Sequence, residues 1–246
     1  MTAAAMVRRA RPLLGTLVEV GLCEMPEPCA HSQAIAAAFA EIARLQALMS
    51  RFDAGSDIAR FNALPRDGSI VIDAATHEVL TFAQALSDAS GGAFDISVGS
   101  APQGWRLDAG SRLHKLADRA RLDLGGIAKG YIVDRAVRTL RGHGCTAGWV
   151  NAGGDLRAFG AIEVPIVLRD EPHGGTRPFA QLADGAFATS HFGAQTRSRC
   201  SPGGSAHVSV AAPLCVQADA LTKVVALSGD TSHPLLARYG AQAWLH

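Results

Sequence analysis

The second half of the chain limits the fold more than any single motif does. Strand-length runs follow one another at Ala147–Asn151, Leu156–Phe159, Val164–Leu168, Ala186–Thr189 and His207–Ala211, and a last one stands at Ala241–Leu245. Helical spacing in this half is confined to Val216–Leu227 and Pro234–Tyr239. Strands that succeed each other without a helix between them cannot build a doubly wound parallel sheet, whose neighbours need long crossovers. The expected class is therefore α+β, with mixed or antiparallel sheets and packed helices.

The first half supplies the helices. From Ser32, an N-cap residue type, the chain to Met49 places Ile35, Phe39, Ile42, Leu45 and Met49 on one face. Thr76–Ser90 repeats the pattern with Val79, Phe82, Ala83 and Leu86 and stops at Gly91-Gly92. Ile58–Phe61 reads as a short helix, and Ala128–Leu140 as a longer one with Ile132, Val133, Ala136, Val137 and Leu140 inward. Leu13–Leu22, Ile70–Ile72 and Leu122–Leu124 read as strands, and residues 99–121 as loop with short strands. One domain over residues 1–246 is expected, and the place for a division into two lobes is near residue 145, giving about 1–145 and 146–246.

Composition removes several classes. Of 246 residues, 48% are hydrophobic and 18% charged, the reverse of a disordered chain. The formal net charge of +1 offers no general attraction to nucleic acid. Five cysteines form no Cys-x-x-Cys pair and no zinc spacing, so free core thiols are expected, with a Cys23–Cys29 bridge as the alternative. After Arg8, Arg9 and Arg11, the apolar run Leu13–Val18 is too short for a signal-peptide core or a membrane span, which leads to the expectation of a cytoplasmic chain without stable membrane insertion.

Known nucleotide and nucleophile motifs do not match. No Gly-x-Gly-x-x-Gly stands between strand and helix, and Gly125 to Gly130 has its Lys at the wrong spacing for a P-loop. Ser190 and His191 are neighbours on a strand, so they point to opposite faces and cannot form a Ser/His pair. What stands out is a series of glycine-flanked charged segments: Gly91 to Asp95, Asp123 to Gly130, Asn151 to Asp155, and Ala218 to Lys223. Glycine lets backbone N–H groups approach a ligand, and a helix N-terminus accepts phosphate oxygens, so Gly125 to Lys129 can cradle a pyrophosphate. Each segment taken singly reads more readily as an ordinary turn, because glycine is the usual turn residue.

Together and in this order, the segments resemble the FAD:protein FMN transferase (ApbE) family. Leu13-Leu14-Gly15-Thr16, Met49 to Asp53, Gly92 to Asp95, Asp123 to Asp134, Asn151 to Asp155, Ala188-Thr189-Ser190 and Ala218 to Leu221 carry the likeness. The resemblance implies an α+β fold that binds FAD as substrate and moves its FMN part to a Thr or Ser hydroxyl of an acceptor flavoprotein, such as a subunit of a membrane redox complex, with release of AMP. It also implies that Leu14, Phe52, Ala93, Phe94 and Asp95 line the flavin site, that Asp123 and Lys129 lie beside FAD, and that Gly126 and Asp219 hold a Mg²⁺ ion.

Two places depart from the family pattern. The threonine expected four residues after Asp219 is Lys223, and Thr222 precedes it. Since i+3 and i+4 share a helix face, either Thr222 serves the ion while Lys223 turns aside, or the Lys223 ammonium pairs with Asp219 in the metal's stead; the expectation is Mg²⁺. The family's His-x-x-Asp-Pro is replaced around Pro202, with Ser198 at the histidine and Ser201 at the aspartate. His191 and His207 flank this stretch and are the candidate catalytic bases. Three activities follow: Mg²⁺-assisted FMN transfer, FAD binding by a carrier or regulatory protein without transfer, and Mg²⁺-dependent hydrolysis of FAD to FMN and AMP.

Overall fold

The computed structural model describes residues 6–23, 28–170, 174–192 and 206–246. Its frame is a seven-stranded sheet in which strands from both ends of the chain meet. β1 (Met6–Leu13) and β2 (Thr16–Cys23) form a hairpin, and β2 pairs with β6 (Gly148–Ala152), followed by β7 (Asp155–Phe159), β10 (Ala186–Phe192), β11 (Ala206–Ala212) and β12 (Gln242–Leu245). Every pairing is antiparallel. A smaller sheet holds β3 (Ser69–Val71), β4 (Trp105–Leu107) and β5 (Arg112–Lys115), and β8 (Glu163–Arg169) pairs with β9 (Thr176–Ala183). The helices are α1 (Pro28–Met49), α2 (Asp57–Ala63), α3 (Ala74–Ala89), α4 (Ala128–Gly142), α5 (Cys215–Ser228) and α6 (Pro234–Arg238).

Strand alternation divides the large sheet into two working faces. Val150, Ala152, Phe159, Ala186 and Ala188 join the main core under α4 and α5. Trp149, Leu156, Ala158 and Phe187 point the other way and pack with Ile166 and Leu168 of the β8–β9 hairpin. Burying both faces explains why these strands are more apolar than a half-exposed sheet requires. The α+β expectation is met, since helices and antiparallel sheets segregate as the strand runs require. Cys23, Cys145 and Cys215 are free thiols; Cys200 and the Cys29 side chain lie outside the described residues.

Three expectations are corrected. The first strand begins earlier, because Met6–Leu13 forms its own edge strand and the Leu14-Gly15 turn separates it from β2. Leu122–Leu124 is irregular rather than a strand: the Asn62 amide bonds both the N–H and the carbonyl of Leu122 and takes the place of a ladder partner. β9 falls in a stretch without alternation, where a register irregularity at Ile166/Val167 and Pro178 disturb the pairing.

Candidate active site

Two helices cap each other at the centre of the molecule. On α4, the Asp134 carboxylate accepts the N–H groups of Cys215 at 3.0 Å and Val216 at 2.9 Å, the exposed donors at the start of α5. On α5, Asp219 returns the arrangement by accepting the N–H of Gly130 at 3.1 Å, in the first turn of α4. Each helix thus places a carboxylate on the positive end of the other. The approach requires Gly130: a Cβ there would lie 2.3 Å from the Cys215 carbonyl oxygen. Arg157 of β7 pairs with Asp134 at 2.6 Å, and burial, opposed by Arg157 and the two N–H donors, pushes the Asp134 carboxyl above its ordinary value.

This junction collects two lysines and two buried carboxylates. Asp219 is 0% exposed and Asp155 is 1% exposed. Lys129 stands 2.7 Å from Asp155 Oδ2, an ion pair outside good hydrogen-bond angles. Burial pulls the Lys129 ammonium down, yet Asp155 and Asp219 outweigh it and the net shift is upward. Burial and the neighbouring Asp219 push the Asp155 carboxyl up to about 6, against the pull of Lys129 and Lys223. The Lys223 ammonium contacts Asp219 Oδ1 and donates to the Asp219 carbonyl at 2.9 Å and Ser190 Oγ at 3.1 Å. Thr222 donates to the Asp219 carbonyl at 2.7 Å and shares a hydrogen bond with Ser190 at 2.9 Å.

As Lys223 stands, a divalent ion does not fit among Gly126, Asp219 and Thr222, the residues expected to hold Mg²⁺. Asp219 Oδ2 accepts the Gly130 N–H, Oδ1 contacts the Lys223 ammonium, the Thr222 hydroxyl donates to the Asp219 carbonyl, and the Lys223 carbon chain lies against Gly126, with its Cε 3.1 Å from where a Cβ would stand. Mg²⁺ demands octahedral oxygen ligands at close range. A doubly charged ion about 4 Å from an ammonium would also meet roughly 8 kcal/mol of repulsion at an effective dielectric near 20.

Two hairpin turns and a cavity adjoin the junction, and a second cavity lies against the other face of the large sheet. Leu14 and Gly15 both have positive φ, 56° and 71°, as the two-residue turn joining β1 and β2 requires. The Leu14 N–H is held by Gln46 Oε1 at 2.6 Å. The β6–β7 turn at Gly153-Gly154 packs so closely on the first that a Cβ on Gly153 would come within 2.5 Å of Thr16 Oγ1. A cavity of about 450 Å³ lies on one side, lined by Leu14, Phe52, Asp123, Gly125 and Lys129 among others. Phe52 is 81% exposed there with the Arg51 guanidinium 4.1 Å above its ring, and Arg51 also pairs with Asp123 at 3.1 Å. A cavity of about 540 Å³ lies on the other side, lined by Thr16, Asn151, Gly154, Thr189, His191 and His207 among others. The adjoining residues Gly15 and Thr16 belong to the two cavities in turn.

The expected site residues therefore separate into groups. Leu14, Phe52, Asp123 and Lys129 converge on the smaller cavity, and Gly126, Asp219 and Thr222 meet at the helix junction beside it. His191 and His207 are cross-strand partners with their rings joined at 3.0 Å, Nδ1 to Nε2, and they face the larger cavity. Strand alternation turns them away from Ser190, which faces Lys223. Phe94 does not line either cavity: it is buried in the core because the turn around it is folded inward. The Asp95 carboxylate accepts from Ser97 N–H, Ser97 Oγ and Gly99 N–H, so it shapes a turn, and Ala93 starts that turn with a bond from its N–H to Ser90 O. Ser198, Ser201 and Pro202 lie outside the described residues. Asp134, Asp155 and Arg157 had no role in the sequence reading; the aspartates stood inside the quoted segments, but nothing local marks their partners.

Known proteins resemble this chain in sequence and in fold. The profile of the ApbE family matches residues 14–245. The FAD:protein FMN transferase of Treponema pallidum is 25% identical, over 69% of this chain and 59% of its own length, so the chain spans about three fifths of that relative. Among solved structures, the apo flavinyl transferase ApbE of Pseudomonas stutzeri superposes with a TM-score of 0.82 at 20% identity, covering 98% of this chain and 90% of its own. The ApbE protein of Thermotoga maritima gives 0.82 at 21% identity, covering 98% and 94%, and the flavin transferase ApbE of Vibrio cholerae 0.80 at 19%, covering 91% and 87%.

Proposed function

Because the chain belongs to the ApbE family, we propose that it binds FAD and transfers the FMN portion to a Ser or Thr hydroxyl of an acceptor flavoprotein, releasing AMP. The observation that carries the reading is that Lys129, paired with buried Asp155 beside the Lys223–Asp219 pair, lines the smaller cavity together with the exposed Phe52 ring. FAD carries two ring systems joined by a pyrophosphate. Phe52 offers an exposed aromatic face for one ring system, and the larger cavity has room for the other.

In the proposed step, the acceptor hydroxyl oxygen forms a bond to the FMN phosphorus while the bond from that phosphorus to the bridging oxygen breaks. AMP departs with the bridging oxygen, and the hydroxyl proton passes to a base. The chain's own contribution is fixed positive charge: Lys129, 36% exposed and facing the smaller cavity, meets the phosphate oxygens while Asp155 behind it keeps it protonated. The His191–His207 pair is the proposed base, reached by an acceptor segment entering the larger cavity. Incubation with FAD and an acceptor flavoprotein tests this. AMP release that depends on the acceptor, with one FMN added to its mass, supports transfer; FMN and AMP without acceptor indicate hydrolysis, and intact FAD indicates binding alone.

A further inference from the structure

We propose that Lys223 is the resident cation of this site, and that FAD is held without a divalent ion. This rests on the reading that FAD binds here. Three observations carry it.

The first is how fully the ammonium is built in. Its side chain is 15% exposed, and it has three oxygen acceptors: Asp219 Oδ1, the Asp219 carbonyl and Ser190 Oγ. Three acceptors match the three donors of an ammonium. With its protons committed to the protein, Lys223 acts on a bound pyrophosphate as a fixed charge, while the more exposed Lys129 supplies the direct contact.

The second is room. The stem of Lys223 crosses Gly126, where a side chain on residue 126 would press against Cε at 3.1 Å. Position i+4 from Asp219 brings the ammonium back over its own turn, so the lysine needs no rearrangement of α5 to reach the carboxylate.

The third is charge. Asp155 and Asp219 are buried carboxylates, and Lys129 and Lys223 balance them one for one. The junction is therefore neutral before any ligand arrives and needs no divalent ion to balance its own buried carboxylates.

The test is FAD titration of the full chain, followed by flavin fluorescence, in chelator and in millimolar Mg²⁺. The expected result is equal affinity for the wild type in both, and for Lys223→Thr a loss of about tenfold or more in chelator that Mg²⁺ restores. Wild-type binding that fails in chelator and returns with Mg²⁺ overturns the proposal. A second arm needs no FAD: binding of Mn²⁺ alone, read by its paramagnetic resonance. Mn²⁺ held by Lys223→Thr and not by the wild type supports the lysine's place. Mn²⁺ held by the wild type and lost in Asp219→Asn overturns it, as does Mn²⁺ held by neither protein. Wild type that binds no FAD in either buffer defeats the proposed function, and the Mn²⁺ arm then decides the lysine's role by itself.

Discussion

Replacing Asp134 by alanine should unfold the junction between α4 and α5 more readily than any other single change at the site. The carboxylate answers three donors at once: Arg157 at 2.6 Å and the N–H groups of Cys215 and Val216. Its side chain is 14% exposed and that of Arg157 is 12% exposed, so solvent cannot replace the lost partner. Breaking a buried pair from one side costs about 3–5 kcal/mol, because the other charge stays behind unpaired. Loss of a helix cap adds about 1 kcal/mol, and the burial cost of Asp134 itself, visible in its raised pKa, returns part of that. The expected net is about 4 kcal/mol, equal to a fall in melting temperature of roughly 8–16 °C for a chain of this size. Urea unfolding followed by far-ultraviolet circular dichroism measures it. Arg157→Met in the Asp134→Ala background should recover about half of the loss, since it removes the stranded guanidinium. A loss under about 1 kcal/mol, or strict additivity of the two changes, would refute the reciprocal-cap argument.

Three further outcomes are expected. Gly130→Ala forces a Cβ against the Cys215 carbonyl and Asp219 Cβ, so urea unfolding should show about 1–3 kcal/mol lost, and FAD affinity should fall with it. Lys129→Ala should weaken FAD about tenfold or more while leaving riboflavin affinity unaltered, measured by fluorescence titration of both; equal losses would place Lys129 away from the phosphates. The folded-state pKa of Asp155 near 6 stands above its ordinary 3.8. A raised carboxylate contributes stability that is present in full below the lower value and lost as pH rises through the higher one. Between pH 4 and 6 the wild type should therefore lose up to about 3 kcal/mol relative to Asp155→Asn, read from urea midpoints across the pH series.

Much of this architecture is legible in the sequence, for physical reasons that vary by element. α1 and α3 each bury one face against a single core, so Ile35, Phe39, Ile42 and Leu45, or Val79, Ala83 and Leu86, recur at the helical period. β1 escaped because it is an edge strand exposed over most of its length, with Arg8 paired to Glu19 and arginines where alternation would show. Leu122 and Leu124 alternate as in a strand because both enter the core, but Asn62, far away in sequence, supplies their backbone partner. At the site, Asp123, Lys129 and Asp219 stood in glycine-flanked segments and could be picked out. The partnerships Asp134 to Cys215, Lys129 to Asp155 and Asp219 to Gly130 join distant parts of the chain and leave no periodic trace. For Lys223, the spacing showed that it shared a face with Asp219. Only the packing over Gly126 and the bond to Ser190 decide that the ammonium turns inward.

The central claim is that this lysine-lined junction positions FAD for transfer of FMN. Its most direct test is the intact mass of an acceptor flavoprotein after incubation with the chain, FAD and chelator, with AMP measured in the same mixture. The account predicts an acceptor heavier by one FMN and an equal amount of AMP, both abolished when the acceptor hydroxyl is removed by Thr→Ala or Ser→Ala. An acceptor of unchanged mass with FAD intact, in chelator and in Mg²⁺ alike, would contradict it.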